Sequence, residues 1–141
     1  VTRLLNWEDR LSAFLAKVYD RPYAPGEHDC MIFAGRCVET VTGQDLASPH
    51  LGKYRTEARA FVYLRSIGFD SCEAWWDANL PARPTSHARR GDIVMRADGT
   101  PCVCMGDFAV MVGTDGERDG LFRVPRDEWL KAWTVGEEPN E

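Results

Sequence analysis

Long apolar runs are missing from this sequence. None approaches the roughly 20 residues that a membrane-spanning helix requires, and the opening Val1-Thr2-Arg3-Leu4-Leu5-Asn6-Trp7 lacks the apolar stretch of a secretory signal. No membrane span is expected, and folding in a reducing cytoplasm is. Positive charge is also in short supply: 17 Lys and Arg stand against 22 Asp and Glu, a net charge of −5. No basic stripe is left to follow a nucleic-acid backbone, so nucleic acid is not an expected partner. Repeats and low-complexity tracts are absent. The five cysteines are odd in number and unevenly spaced, a poor match to a secreted disulfide framework, and at least one thiol must be free.

What is present fits one ordinary domain over residues 1–141, with 44% apolar and 28% charged residues. Asn6 is placed to cap a helix with Glu8 and Asp9 in its first turn and Trp7, Leu11, Phe14, Leu15 and Val18 at helical spacing, running to about Tyr19. Arg21-Pro22-Tyr23-Ala24-Pro25-Gly26 breaks it. Asp29 then caps a second, buried helix through Cys30, Ala34, Cys37 and Val41, which Gly43 ends. Thr56 opens a third, with Phe61, Val62 and Leu64 on its apolar side and Gly68 as its stop; Ser71 opens a short fourth through Trp75 and Trp76.

Past Leu80-Pro-Ala-Arg-Pro-Thr-Ser86 the periodicity becomes strand-like. Strands are expected at Gly91 to Met95, Cys102 to Met105, Phe108 to Val112 and Leu121 to Val124, then a short helix around Asp127 to Ala132, a strand Trp133-Thr134-Val135 and a frayed end over 136–141. Helices first and an antiparallel meander afterwards make an α+β domain.

The chemistry centres on Cys30. Unpaired amides at a helix N-terminus favour a thiolate and can serve as donors to an oxyanion, so a cysteine there occupies a nucleophile's position. Tyr23-x-x-Gly26-x-x-Asp29-Cys30 before an apolar helix, followed later by Gly91-Asp92-Ile93-Val94, resembles the NlpC/P60 family of papain-like cysteine peptidases, which cut the peptide stems of bacterial cell walls. The resemblance implies a papain-like fold with the cysteine helix packed on the sheet. It also implies Cys30 as nucleophile, a site lined by Tyr23 with Gly26 and Asp29, and no cofactor.

A more specific resemblance is to short proteins encoded among the tail genes of phages, prophages and gene transfer agents. It is carried by Trp7-Glu8-Asp9-Arg10-Leu11, by Gly26-Glu27-His28-Asp29-Cys30, and by Val124-Pro125 with Ala132-Trp133. It implies a protein made in the bacterial cytoplasm and assembled into the distal tail of a virion, with other tail and baseplate proteins and bacterial peptidoglycan as partners.

A papain-like reaction needs an imidazole within hydrogen-bond reach of the thiol. In NlpC/P60 proteins that histidine begins the second strand; here the strand follows Gly99-Thr100-Pro101, and no histidine occurs after His87. His28, two residues before Cys30, is the candidate base; His50 and His87 have less to tie them to the site. The expectation is therefore an impaired, mainly structural tail component, with an active peptidoglycan hydrolase as the alternative. A third possibility is a zinc or iron–sulfur site from His28, Cys30, Cys102 and Cys104. Trp75, Trp76, Trp129 and Trp133 are expected to pack rather than to stack on sugars, and Arg89-Arg90 to lie in a solvated loop.

Overall fold

In the computed structural model, which describes residues 1–139, four helices precede a six-stranded antiparallel sheet, so the chain is α+β. Helix α1, Trp7–Val18, buries Trp7, Leu11 and Val18; Asn6 precedes it without a side-chain capping bond. Helix α2, Cys30–Thr42, is the central one, with Phe33, Ala34, Cys37, Val38 and Val41 wholly enclosed. The Asp29 carboxylate accepts from the Ile32 N–H at its start, and Gly43 closes it in the left-handed conformation.

Thr56 and Ser71 cap α3, Glu57–Ser66, and α4, Cys72–Asn79. The expected apolar side of α3 shrinks to Leu64: Phe61 is 60% and Val62 54% exposed. Their spacing is helical, but no layer covers that side of the helix.

The strands are β1 Ala82–Arg83, β2 Ile93–Arg96, β3 Pro101–Cys104, β4 Phe108–Thr114, β5 Asp119–Pro125 and β6 Trp129–Trp133, in the order β1-β6-β2-β3-β4-β5. Strands β2 to β5 form the meander, and β6 returns beside β2. Alternation divides the sheet. Ile93, Met95, Val103, Val110 and Val112 join the main core with α2, while Val94, Cys102, Cys104, Ala109 and Ala132 form a second cluster on the other face.

The helix expected at Asp127 to Ala132 is instead a three-residue 3-10 turn, Arg126–Glu128, followed by β6, and the strand expected at 133–135 ends at Trp133. Trp133 and Ala132 pair with Ile93 and Val94, and Trp129 and Ala132 fill the second cluster. Ladder bonds along β2 together with two-sided burial outweigh the local helical spacing.

The Gly91-Asp92 pair opens the sheet as an electrostatic hub. Asp92, fully buried, accepts from Arg3 Nη2 at 3.0 Å, Arg83 Nη1 at 2.9 Å, the Arg89 N–H at 2.8 Å and the Val135 N–H at 2.9 Å. Arg3 also donates to the Arg90 and Val135 carbonyls and lies over the Trp7 ring. Gly91 has φ +93°, and a Cβ there would press on the Arg3 guanidinium at 3.1 Å.

Arg89 reaches Glu138 and the Gly136 carbonyl, and Arg90 reaches Ser12, so this pair is engaged within the chain rather than solvated in a free loop. The expected frayed end is likewise held over its first part: Glu137 bridges Thr2, and Glu138 meets Arg3 and Arg89. Asn140 and Glu141 lie outside the described residues. No helix among the described residues is long and apolar enough to cross a membrane.

Candidate functional site

The loop before α2 is built as a fixed turn. Ala24 and His28 exchange backbone hydrogen bonds of 3.0 and 2.7 Å. Gly26 between them has φ +80°, and a Cβ there would collide with the Tyr54 carbonyl. Its N–H donates to Asp29 Oδ2 at 2.8 Å, and its carbonyl accepts from Gly52 at 2.9 Å. Asp29 Oδ2 also accepts from the Tyr54 hydroxyl at 2.6 Å, while Oδ1 takes the Ile32 N–H at 2.9 Å. Burial, then Asp29, pushes the Tyr54 phenol above its ordinary range. The Asp29 carboxylate is thus occupied in holding the turn, the helix start and Tyr54 together.

Cys30 opens α2 and faces the sheet, where its thiol donates to the Val112 carbonyl at 3.1 Å. Why that carbonyl is available follows from the register. Strands β3 and β4 pair at Val103↔Val110 and Cys104↔Ala109, and continuing that register sets Val112 opposite Pro101. Proline has no N–H to offer the ladder, and the thiol of Cys30 supplies the donor instead. Burial pushes the Cys30 thiol well above its usual range, with Cys102, Asp29 and Cys72 adding to the rise and the Val112 hydrogen bond opposing it. The lowering expected from a helix N-terminus is outweighed.

No histidine joins it. His28 is 2% exposed, its ring edge-on to Phe33 at 6.1 Å, and its Nε2 is buried without a hydrogen-bond partner among the described residues. Burial, with Arg21 nearby and Asp29 opposing, pushes its pKa down to about 4. The ring is turned inward, and no hydrogen bond links it to the Cys30 thiol, which is given to Val112. His50 Nδ1 lies 2.6 Å from the Tyr63 hydroxyl and edge-on to Trp75. His87 is exposed in a 3-10 turn.

Nor do the four residues weighed for a metal site gather: the described residues hold no group of three or more His, Cys, Asp or Glu placed to bind an ion. Cys102 and Cys104 lie in the second cluster, on the sheet face away from α2.

Above Cys30 lies an open cleft of about 770 Å³. Tyr23, Asp29 and Cys30 line it, whereas Gly26 and His28 do not. Tyr23 donates to Glu57 Oε1 at 2.7 Å, and burial together with that carboxylate raises its pKa above the ordinary tyrosine range. The remaining walls come from α3, the start of α4, the β2–β3 turn and β4.

Residues 2–135 match the family model described as "Domain of unknown function (DUF6950)". The chain belongs to this family. No curated protein and no solved structure matches it.

Within this DUF6950 domain, Trp75, Trp76, Trp129 and Trp133 are all buried, which leaves no tryptophan surface for glycan strands. Sequence reasoning missed the parts of the site that come from afar: Val112 as the thiol's partner, Tyr54 on Asp29 and Glu57 on Tyr23. A proline at the start of a strand was the one local sign that a ladder acceptor would go unserved.

Proposed function

We propose that this DUF6950 domain is a component of the distal tail of a phage or prophage, built on an NlpC/P60-like scaffold and mainly structural. The observation that carries the reading is the Cys30 thiol committed to the Val112 carbonyl with no imidazole beside it. General acid–base catalysis contributes about 10²- to 10⁴-fold to such reactions, and among the described residues no imidazole hydrogen-bonds the thiol to provide it. The strand start at which NlpC/P60 proteins carry their base is Pro101. The tail location rests on the resemblance at Trp7 to Leu11, Gly26 to Cys30, and Val124-Pro125 with Ala132-Trp133. Its partners on this reading are tail and baseplate proteins, met after synthesis in the bacterial cytoplasm.

The second reading, an active peptidoglycan hydrolase, is favoured by the open cleft over Cys30. It requires a base from a neighbouring chain.

Defined stem peptides incubated with the wild-type protein and with Cys30→Ala separate the two. The structural reading expects no cleavage by either; cleavage by the wild type that disappears in Cys30→Ala overturns it. Deletion of the gene from the virus, followed by electron microscopy of the particles, tests the location. Tails lacking their distal density are expected, and intact, infectious tails refute it.

A further inference from the structure

Three features of the cleft have no use in the reading above. Besides Asp29, whose carboxylate is occupied by Gly26, Ile32 and Tyr54, its acidic side chains Glu57, Asp70, Glu73 and Asp98 face a single lining base, Arg96. Glu73 and Asp98 are partly offset by Lys131 at 3.7 Å and Arg96 at 3.9 Å. Glu57 receives only the Tyr23 hydroxyl, and Asp70 has no cation partner among the described residues. The groove therefore presents negative charge.

A second, apolar cavity of about 70 Å³ opens beside it, lined by Leu46, His50, Tyr63, Leu64 and Trp75. It shares Met31, Tyr54, Ala60, Phe61 and Cys72 with the cleft, so the two adjoin. A cavity of ~150 Å³ accepts benzene; one half that size suits the branched end of an aliphatic side chain. Phe61 and Leu130, 60% and 62% exposed, mark the apolar rim.

The third feature is backbone. Gly113 and Thr114 of β4 run past the Pro101 end of β3 and, with Met111 and Val112, form one wall. The Val112 carbonyl points into this side, since it takes the Cys30 thiol. In an antiparallel ladder the groups of residue i+2 point the same way, which turns the exposed Thr114 backbone toward the groove.

We propose that the cleft over Cys30 is a docking groove for an extended basic segment of a partner polypeptide. An aliphatic side chain enters the His50–Trp75 pocket, and flanking Lys or Arg residues meet Glu57 and Asp70. The segment crosses the end of β3 against the last residues of β4, taking a strand-like bond from Thr114, the one stretch of β4 that β3 leaves open, as sheet edges do when they capture peptides. The inference rests on the structural reading, since a groove in turnover could not hold a resident segment.

Isotope-labelled protein is titrated with two short synthetic peptides of equal length, one carrying a single leucine flanked by lysines and the other the same leucine flanked by glutamates. A soluble stem peptide is the third probe. The lysine peptide is expected to shift the amide signals of Tyr23, Phe61, Ser71, Gly113 and Thr114, with affinity falling as salt rises from about 0.05 to about 0.5 M. Glu57→Gln combined with Asp70→Asn is expected to weaken it about fivefold, two exposed ion pairs being lost. Ala60→Phe, which fills the side pocket from α3, is expected to abolish it; the unperturbed spectrum elsewhere reports that each variant is folded.

Equal binding of both charged peptides, indifference to the acidic substitutions, or shifts outside the cleft overturn the proposal. Binding of the intact stem peptide without the lysine peptide also overturns it and leaves the structural reading standing. Cleavage of the stem peptide defeats the structural reading, and the docking proposal with it.

Discussion

If Cys30 serves the sheet rather than a substrate, its replacement by serine and by alanine must differ in stability, because only one of them leaves the Val112 carbonyl without a donor. Val112 is 1% exposed, so its carbonyl, once deprived of the thiol at 3.1 Å, has no easy recourse to solvent. An unsatisfied buried acceptor costs about 1–3 kcal/mol. With an unfolding entropy of about 2.1 cal/mol/K per residue, a chain of 141 residues loses roughly 0.3 kcal/mol per degree near its midpoint, so Cys30→Ala should melt about 3–10 °C lower. Cys30→Ser keeps a hydroxyl donor and should stay within about 1 kcal/mol of the wild type. Urea titrations with all three proteins, checked for equal m-values, measure the difference. A catalytic thiol with no structural duty gives the opposite pattern, in which alanine is tolerated and serine is the worse replacement. Alanine as stable as the wild type would refute the assignment of the thiol to the ladder.

Two further outcomes follow from buried charge. Asp92→Asn strips the counter-ion from the enclosed Arg3 guanidinium, 3.0 Å away, and should cost about 3–5 kcal/mol in urea denaturation; a loss below about 1 kcal/mol would show that the hub is not needed. Adding Arg3→Met to Asp92→Asn should recover only part of that loss, because the Arg89 and Val135 N–H groups bond different oxygens of Asp92 and a carboxamide keeps one oxygen, its NH2 facing the other N–H. His28 is held neutral with its pKa lowered from 6.5 to about 4. The unfolded chain therefore binds the proton first, and stability present above pH ~6.5 drains as pH falls toward ~4, by up to about 3 kcal/mol. Urea titrations at pH 7 and at pH near 4.5 should show a smaller drop in His28→Gln than in the wild type, and parallel drops would rule His28 out as the source.

The parts of the fold legible in the sequence are those written locally. Asp29, Thr56 and Ser71 each bond a helix N–H three residues on, and Gly43 alone can end α2 at φ +83°. The change of period after Ser86 marks the sheet. Where distant groups decide, local pattern misleads. Trp129 to Trp133 has a helix's spacing but completes the edge of β2, and Phe61 and Val62 look like a core face but have no layer above them. The site divides in the same way. The place of Cys30 at a helix start was readable from Asp29 and the apolar run behind it, whereas the direction of the His28 ring depends on a backbone bridge to Ala24 that no side-chain pattern announces. Arg3 and Asp92 are 89 residues apart, and neither has a neighbour in sequence that hints at the other.

Pro101 has a consequence for how this site could change over generations. Residue 101 shares the α2 side of the sheet with Val103, and its backbone nitrogen is directed at β4. Pro101→His would return two things in one step, the missing ladder N–H and an imidazole on the side where Cys30 lies. The thiol would be released from Val112 by the same substitution that offers it a base. On the proposed reading, the residue at the start of β3 couples the bonding of the sheet to the freedom of the thiol: what stands at 101 decides whether Val112 is served from the ladder or from α2.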